Sequence, residues 1–335
     1  MANTSARPTM QDVADKVGVS KATVSLVFRR APGVGEQTRR RVLEAAEELG
    51  YRMNRAAALM TARRSHLIGA VAQIGNSFHA EVVENIVAAA DLAGYEIVLG
   101  AVTPTHDEQR VIGTLMDFRC EGMLLIGTEL ESATISRLGD QLPTVVIGRR
   151  TTVPSVDVVR TNDSRGIGAV VDHLVALGHR RIVHVAAGQG VIASDRRNGF
   201  LRALHRHGVH DPVIVDAGGF TEEAGMAAAE QLLSAPIRPT AVVCANDRLA
   251  VGVLDVLRRG RLEVPDDISV TGFDDSVLAR MSSIDLTTVS QQPKAQAEQA
   301  IDAVVGRLDR QRTERVTTTL LPELVVRATT GRANT

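Results

Sequence analysis

The pattern of hydrophobic positions predicts three short helices at the start of the chain. In TMQDVADKVGVS, Val13, Ala14 and Val17 share one helical face and Gly18 ends the helix. The segment SKATVSLVF, opened by the predicted N-cap Ser20, repeats the apolar spacing of a second short helix. TRRRVLEAAEELGY predicts a third helix over residues 38–51. We assign its apolar stripe to Val42, Leu43, Ala46 and Leu49.

The first two helices and the glycine-centred turn between them have the spacing of a helix-turn-helix. This motif places its second helix in the major groove of DNA, whereas the plain alternative is a helical hairpin in a core. Residues 1–65 carry twelve Lys or Arg against six Asp or Glu, a net charge of +6, and the remaining residues carry 26 against 33, or −7. A basic head on an acidic body suits a polyanionic partner, so the charge favours DNA binding.

From about Leu67 onward, short apolar runs alternate with helical stretches. LIGAVAQ, YEIVLGA, GMLLIG and TVVIG form a first group of predicted strands, separated by helices near 79–93, 105–118 and 132–140. RRIVHVAA, TAVVCAN and ISVTGF repeat the scheme after Asn162. The alternation predicts an α/β fold with parallel sheets in two similar halves. Ligands of such sheets bind beyond the carboxyl ends of the strands, so we expect a cleft between the halves.

Polar side chains stand at those strand ends. Asn246 and Asp274 follow two of the strands, and Arg196 follows a third by a short loop. Amide, carboxylate and guanidinium groups together suit a polyhydroxylated ligand, because each desolvated hydroxyl needs a donor and an acceptor. The alternative for Arg196 and Asp274 is an ion cluster with each other or with their neighbours Arg197 and Asp275.

The predicted effector contacts combine these polar groups with two aromatic rings and a glutamine where the chain returns between the halves. They are Phe78, Arg196, Phe220, Asn246, Asp274 and Gln291. The aromatic residues would cover a sugar face, or else they belong to the core. Asp247 is a predicted N-cap of the helix LAVGVLDVLRRG rather than a ligand contact.

Several blocks of the sequence, taken in order, resemble the lactose-repressor (LacI/GalR) family of bacterial transcription regulators. They are DVADKVGVSKATVS, EELGYRMNRAAALM, SHLIGAV, DHLVALGHRRI, ANDRLAVG and VPDDISVTGFDD. The resemblance spans essentially the whole chain. It implies a DNA-binding head, a hinge that orders on operator DNA and a two-lobed effector domain related to periplasmic sugar-binding proteins. It also implies dimerisation through the effector domains on a pseudo-palindromic operator, with Arg196, Asn246 and Asp274 as the principal polar effector contacts.

The predicted organisation follows from the pattern and the resemblance together. It comprises a helix-turn-helix head (1–53), a hinge helix or linker (54–65) and an effector-binding and dimerisation domain (66–335). Within the last, lobe one takes residues of about 66–161 and 290–320, and lobe two those of about 162–289 and 321–331.

The predicted DNA contacts divide by chemistry. Ser20, Thr23 and Asn54 are expected at the phosphate backbone, and Lys21 and Ala22 at the base-reading start of the second helix.

Two departures from the family lie in this helix. Leu26 replaces a usual basic residue, and Phe28-Arg29 replaces a usual Leu-Asn. Leu26 cannot form a bidentate contact to guanine, so it contacts a thymine methyl or nothing.

In the hinge, Met60 aligns with the family's minor-groove leucine and Leu59 precedes it; the alternative is a linker helix packed on the body. The full set of predicted DNA contacts is Ser20, Lys21, Ala22, Thr23, Leu26, Arg29, Asn54, Leu59 and Met60.

We therefore predict a sequence-specific repressor whose affinity for double-stranded operator DNA is controlled by a sugar bound between the lobes. The in-class alternatives are an activator, or a sensor of a purine or phosphorylated metabolite, which Arg149 and Arg197 leave open. A solute-binding protein would share the body, but we would expect a signal peptide in place of the basic head.

An enzyme would need a reactive constellation, and the sequence contains no P-loop, GxSxG, HExxH or CxxC motif. His205, His207 and His210 are predicted on a solvated helix end rather than in a metal site. We expect no cofactor, no metal and no membrane partner, a cytoplasmic location, and core positions for Cys120 and Cys244.

Overall fold

The computed structural model describes residues 8–28, 32–51, 64–209, 211–235 and 238–334. The chain divides into two compact units, Met1–Ser65 and His66–Thr335. We call them the head and the body. The predicted boundary between head and hinge, and residues 54–63 of the predicted hinge, lie outside the described residues, so these domain limits remain predictions.

The head contains three helices, each with a clear sequence cause. They are α1 (Met10–Val17), α2 (Lys21–Phe28) and α3 (Glu36–Leu49). A capping box between Thr9 and Asp12 opens α1, and Gly18 ends it in the left-handed conformation at φ 73°. The backbone N–H of Thr23 donates to Ser20 Oγ at 3.0 Å, which caps α2 as predicted.

A small apolar core joins the three helices of the head. It consists of Val13, Ala14, Val17, Val24, Val27, Val42, Ala45 and Ala46. The prediction for Leu43 is wrong, because its side chain is 47% exposed. At 100° per residue, positions 42, 45, 46 and 49 share a face that excludes position 43. The chain places Ala45 in the core instead.

The body alternates strands and helices as the sequence predicts, but the described residues contain five strands in addition to the seven predicted. The elements of its first half are β1 (Leu67–Gln73), α4 (Ser77–Leu92), β2 (Glu96–Val102), α5 (Glu108–Asp117), β3 (Gly122–Ile126), α6 (Ser132–Gln141), β4 (Thr144–Ile147) and β5 (Asp157–Thr161). Those of its second half are α7 (Asp163–Ala176), β6 (Ile182–Ala186), α8 (Val191–Arg206), β7 (Val213–Asp216), α9 (Glu222–Ser234), β8 (Ala241–Cys244), α10 (Asp247–Arg259) and β9 (Ser269–Thr271). The chain closes with β10 (Thr288–Ser290), α11 (Pro293–Leu308), β11 (Thr317–Leu320) and β12 (Glu323–Val325).

Two parallel sheets organise these elements. A six-stranded sheet has the order β11-β5-β4-β3-β1-β2, and a four-stranded sheet has the order β7-β6-β8-β9. All strand pairs within both sheets are parallel. We call the larger sheet with its helices lobe one and the smaller with its helices lobe two. This α/β architecture confirms the predicted fold class.

The central strands are largely apolar because helices cover both faces of each sheet. In lobe one, α4 and α11 pack on one face and α5 and α6 on the other. In lobe two, α7 and α8 cover one face while α9 and α10 cover the other. Cys120 and Cys244 are buried and unpaired, which confirms their predicted place in the cores.

Three short segments carry the chain between the lobes. They follow β5, β10 and β11 and span residues 161–163, 290–293 and 320–323. Buried hydrogen bonds tie the first two segments together. Thr161 Oγ1 donates to the Gln291 carbonyl at 2.9 Å, and Gln296 Nε2 reaches both Thr161 Oγ1 at 3.1 Å and that carbonyl at 2.8 Å.

Helices α9 and α10 approach each other until their backbones touch. A Cβ atom at Gly252 would lie 2.0 Å from the Glu222 carbonyl oxygen, and one at Gly225 would lie 2.2 Å from the Leu249 carbonyl oxygen. No side chain fits at either distance. The two glycines are therefore required by packing, although both lie in helix interiors where glycine is intrinsically unfavourable.

We expect Gly252→Ala to lower the free energy of unfolding by about 1–3 kcal/mol, since the added methyl must push the helices apart. Gly113→Ala is the matched control, because Gly113 is an exposed helical position with no atom within 4 Å of the added Cβ. That control should stabilise the protein by up to about 1 kcal/mol. Urea unfolding of the full chain measures both, and equal midpoints for the two variants would contradict the packing argument.

Candidate effector site and DNA-binding surface

All of the predicted effector contacts line one cavity between the two lobes. Phe78 comes from lobe one, and Arg196, Phe220, Asn246 and Asp274 come from lobe two. Gln291 lies on a crossing segment and also lines the cavity. The empty volume is about 580 Å³, part of which opens to solvent. The cavity lies beyond the carboxyl ends of the strands, where parallel sheets hold their ligands.

Arg196 is at once a cavity residue and the centre of a buried ion cluster. Its side chain is 3% exposed, its Nε donates to Asp163 Oδ1 at 2.8 Å, and its Nη1 lies 3.5 Å from Asp274 Oδ1. Nη1 also donates to the Ala245 carbonyl at 2.6 Å, and the guanidinium stacks 3.9 Å above the Phe273 ring. The ion cluster that the sequence offers as one interpretation of Arg196 is therefore present, and the role of Arg196 as an effector contact stays a prediction.

Of the neighbouring charges considered for this cluster, Asp275 is engaged elsewhere. Asp275 Oδ1 accepts from Arg327 Nη2 at 2.6 Å, and Arg197 does not line the cavity. Asp163, the partner that Arg196 does use, was missed by the sequence analysis. It is the first residue of α7, two positions after the end of β5. The sequence analysis does not predict β5, so the strand-end argument could not find Asp163.

Asp274 is a buried carboxylate in a strained position. Its backbone has φ 123°, and its Oδ1 accepts from Gln291 Nε2 at 2.6 Å. Burial raises the pKa of Asp274 well above its ordinary value, and the nearby Arg196 charge lowers that pKa only in part. Asp274 thus holds a hydrogen-bonding carboxyl group at the cavity wall.

The N-cap of α10 is Asn246, so the prediction that Asp247 caps this helix is wrong. Asn246 has an extended backbone, at φ −152° and ψ 177°, and its Oδ1 accepts from Leu249 N at 2.9 Å. Its Nδ2 donates to the Phe220 carbonyl at 3.2 Å. Asp247 is already helical and instead accepts from Ser276 and Thr288.

Sequence reasoning missed several residues that line the cavity. They are Gln73, Asn76, His79, Ile126, Gly127, Glu129, Ile147, Gly148, Ile192 and Gln296. Gln73 ends β1 and Glu129 follows β3 by two residues, so the strand-end argument would have found both had it been applied to lobe one. Asn76 is the N-cap of α4, and its Oδ1 accepts from Phe78 N at 3.0 Å. No comparable signal marks His79.

The cavity wall carries little positive charge. Among the described residues, Arg196 is the only Lys or Arg side chain that lines the cavity. The carboxyl groups of Asp163 and Asp274 already contact it. Arg149, considered earlier for an anionic ligand, is buried and donates to the carbonyls of Thr128 and Leu130 at 2.9 and 3.2 Å.

Two ion pairs bridge the lobes beside the cavity. Glu81 on α4 accepts from Arg280 Nη2 at 2.7 Å and from the backbone N–H of Val277 at 2.7 Å. Arg150, which follows β4, donates from Nε to both carboxylate oxygens of Asp195 on α8, at 2.9 and 3.0 Å. These contacts exist only while the lobes are close together.

In the head, one face of α2 is free of core contacts. Val24 and Val27 point into the core, whereas Lys21, Ala22 and Leu26 are exposed. Exposed Ser20 and half-buried Thr23 lie at the helix start with their hydroxyl oxygens 2.9 Å apart. The predicted contacts Arg29, Asn54, Leu59 and Met60 lie outside the described residues.

Comparison with known proteins supplies the family. Residues 9–54 match the model of bacterial regulatory proteins of the lacI family, and residues 171–330 match that of a periplasmic binding protein-like domain. The ribose operon repressor of Escherichia coli (strain K12) is 33% identical over 95% of this chain and 98% of its own length. This chain belongs to the LacI family. It is accordingly a transcriptional regulator and not an enzyme.

Two solved structures of this family match nearly the full length of the chain. A CelR–cellobiose complex is 29% identical with a TM-score of 0.71, covering 96% of this chain and 100% of that one. The lac repressor dimer bound to operator and the anti-inducer ONPF is 27% identical with a TM-score of 0.81, covering 97% and 99% of the two chains. In the described residues, no helix combines the length and apolarity needed to cross a bilayer.

The raised pKa of Asp274 predicts a pH-dependent stability. An acid whose folded-state pKa is raised stabilises the fold fully at low pH, and that contribution is lost as the pH rises toward the folded-state pKa. Asp274→Asn removes this loss. The stability of the variant relative to the native protein should therefore increase between pH 5 and pH 8, by at most about 1.4 kcal/mol per pH unit.

Thermal unfolding at several pH values checks this expectation. Asp91→Asn, an exposed change on α4, is the control and should leave the pH dependence as it is in the native protein. Parallel pH profiles for the native protein and Asp274→Asn would show that burial does not hold this carboxyl group protonated.

Proposed function

We propose that this protein is a cytoplasmic transcriptional repressor whose affinity for operator DNA is controlled by a neutral sugar bound between its two lobes. The observation that carries the proposal is the cavity, whose wall draws polar and aromatic side chains from both lobes. A ligand that contacts both lobes binds one lobe arrangement better than another. It can therefore shift the equilibrium between arrangements, which is the requirement for allosteric control.

The charges of the cavity favour a neutral ligand over a phosphorylated one. Glu129 lines it, and the guanidinium of Arg196 is already engaged by the carboxylate of Asp163 and the carboxyl group of Asp274. A phosphate would need several unpaired donors there. The amide, carboxyl and aromatic groups suit sugar hydroxyls and an apolar sugar face. A neutral purine is the second candidate, because Phe78 and Phe220 offer flat surfaces.

The relatives support the same assignment of partners. They include a ribose operon repressor, a regulator in complex with cellobiose and a repressor dimer bound to operator DNA. We accordingly propose a homodimer that binds a pseudo-palindromic operator through two heads. Exposed apolar side chains on the edge strand β2 and around the end of α5, namely Leu99, Met116 and Phe118, offer surface for a second copy.

The two ion pairs that bridge the lobes give the proposed switch a physical basis. Glu81–Arg280 and Arg150–Asp195 stabilise the arrangement in which the lobes are close. A sugar that contacts both walls adds to the same arrangement. The sugar can change the affinity for DNA only to the extent that it binds the two lobe arrangements with different affinities.

Lys21 tests the DNA-binding half of the proposal. We expect Lys21→Ala to weaken binding to the selected operator by about 10-fold, because an exposed lysine at the start of the recognition helix can contact guanine. The operator is first selected from a random duplex library with the purified protein. Lys16→Ala is the matched control, since Lys16 on α1 pairs with Glu48 at 2.5 Å, and its affinity should stay within about threefold of the native value. Equal affinities for both variants would contradict the assignment of α2 as the reading helix.

Glu81 tests the coupling between lobe arrangement and sugar binding. We expect Glu81→Gln to weaken the affinity for the best-binding neutral sugar by about 10-fold, because the close arrangement loses its charge pair with Arg280. Its order of preference among sugars should not change. Calorimetric titration with neutral sugars, their phosphates and purine bases measures both quantities.

Asp302→Asn is the control, because its pair with Arg310 is exposed and lies within one lobe. Unchanged sugar affinity in Glu81→Gln would show that this pair does not bias the lobes. Tighter binding of a sugar phosphate or a purine than of any neutral sugar would contradict the proposed effector class.

A further inference from the structure

His79 is a buried polar residue at the cavity whose hydrogen-bonding capacity the protein leaves unused. It lies in the first turn of α4, is 7% exposed and lines the cavity between the lobes. Its backbone N–H donates to Asn76 Oδ1 at 3.4 Å, but its ring atom Nδ1 has no hydrogen-bond partner. Native proteins rarely bury such an atom unpaired, because its desolvation is then uncompensated.

The residue opposite His79 makes room for the imidazole ring. Gly127 follows β3 with φ 60°, and a Cβ atom there would lie 2.5 Å from His79 Nε2. Any other residue at position 127 would both strain the backbone and collide with the ring. The ring of His79 therefore fits at the cavity wall only because position 127 is a glycine. A smaller apolar side chain at position 79 would not impose this requirement.

The ring of His79 is neutral at physiological pH. Burial lowers the pKa of His79 to about 4, and the positive charges of Arg248 and Arg196 act in the same direction. A neutral imidazole has one donating and one accepting nitrogen. It therefore complements a hydroxyl group, which can donate and accept, better than it complements an anion.

We propose that His79 is a specificity-determining contact whose imidazole ring hydrogen-bonds one hydroxyl of the effector sugar. This inference rests on the proposed function of the cavity. It goes further in assigning a particular side chain of lobe one to the selection among sugars. A single nitrogen at a fixed position distinguishes a sugar that carries a hydroxyl there from an analogue that lacks it, because the analogue leaves the buried atom unpaired.

The test combines a deletion in the protein with a deletion in the ligand. Calorimetric titration of the full chain with D-ribose, D-glucose, D-galactose and D-fructose identifies the best binder, and its monodeoxy analogues are then measured. We expect the native protein to bind one deoxy analogue about 10-fold more weakly than the parent sugar. His79→Leu should bind the parent sugar about 10-fold more weakly than the native protein does. It should bind that deoxy analogue as tightly as it binds the parent sugar.

Two further variants separate recognition from structure. His79→Asn keeps polar atoms near the position of Nδ1, and it should recover part of both the affinity and the discrimination. His184→Leu is the matched control, because His184 is also a buried histidine with an unpaired ring nitrogen, stacked on Phe200 away from the cavity. It should bind and discriminate as the native protein does.

The outcomes distinguish this inference from the proposed function. If His79→Leu keeps native affinity and native discrimination, or if His79→Asn loses affinity without any change in discrimination, His79 is not a specificity contact and the inference is overturned. The cavity remains the sugar site in that case, since the native protein still binds. A native protein that binds none of the four sugars contradicts the proposed function, and the inference falls with it.

Discussion

The pairing of Arg196 with Asp163 and Asp274 is the interaction on which the organisation of lobe two and its cavity depends. Burying a guanidinium is costly unless carboxylates and carbonyls surround it, and removing one partner leaves uncompensated charge in a dry site. The cluster joins α7, α8, the end of β8 and the turn after β9 in one contact. Because Arg196 is held so firmly, replacing it would report on folding as well as on ligand binding.

Most of the fold could be predicted because its causes are local or periodic. Buried strands produce continuous apolar runs, and caps such as Thr9 and Ser20 mark helix starts in the sequence itself. Leu43 was placed wrongly because an apolar residue one position from the stripe is inconspicuous in a short helix. Asp247 was misassigned because Asn246 and Asp247 are equally good caps, and only the backbone conformation decides between them.

The sequence predicts those residues of the candidate site that follow strands. It does not predict the residues that reach the cavity through the packing of distant segments. Asn246 and Asp274 follow strands, so the topology alone brings them to the cavity. His79 is there because of the geometry of α4 and because Gly127, distant in sequence, leaves space for its ring. That relation depends on three-dimensional distance, which no spacing rule in a single sequence contains. The partners of Arg149 are backbone carbonyls, and the sequence does not show them for the same reason.

The three crossing segments restrict how the two lobes can move. Thr161, Gln291 and Gln296 bind two of those segments into one unit, so bending about the crossings is easier than stretching or shearing them. The three neighbouring crossings therefore favour hinge bending of one lobe against the other. Ligands of different shape that draw the walls together produce the same displacement at the crossings. The residues of the cavity can therefore change, and the preferred ligand with them. The displacement at the crossing segments stays the same.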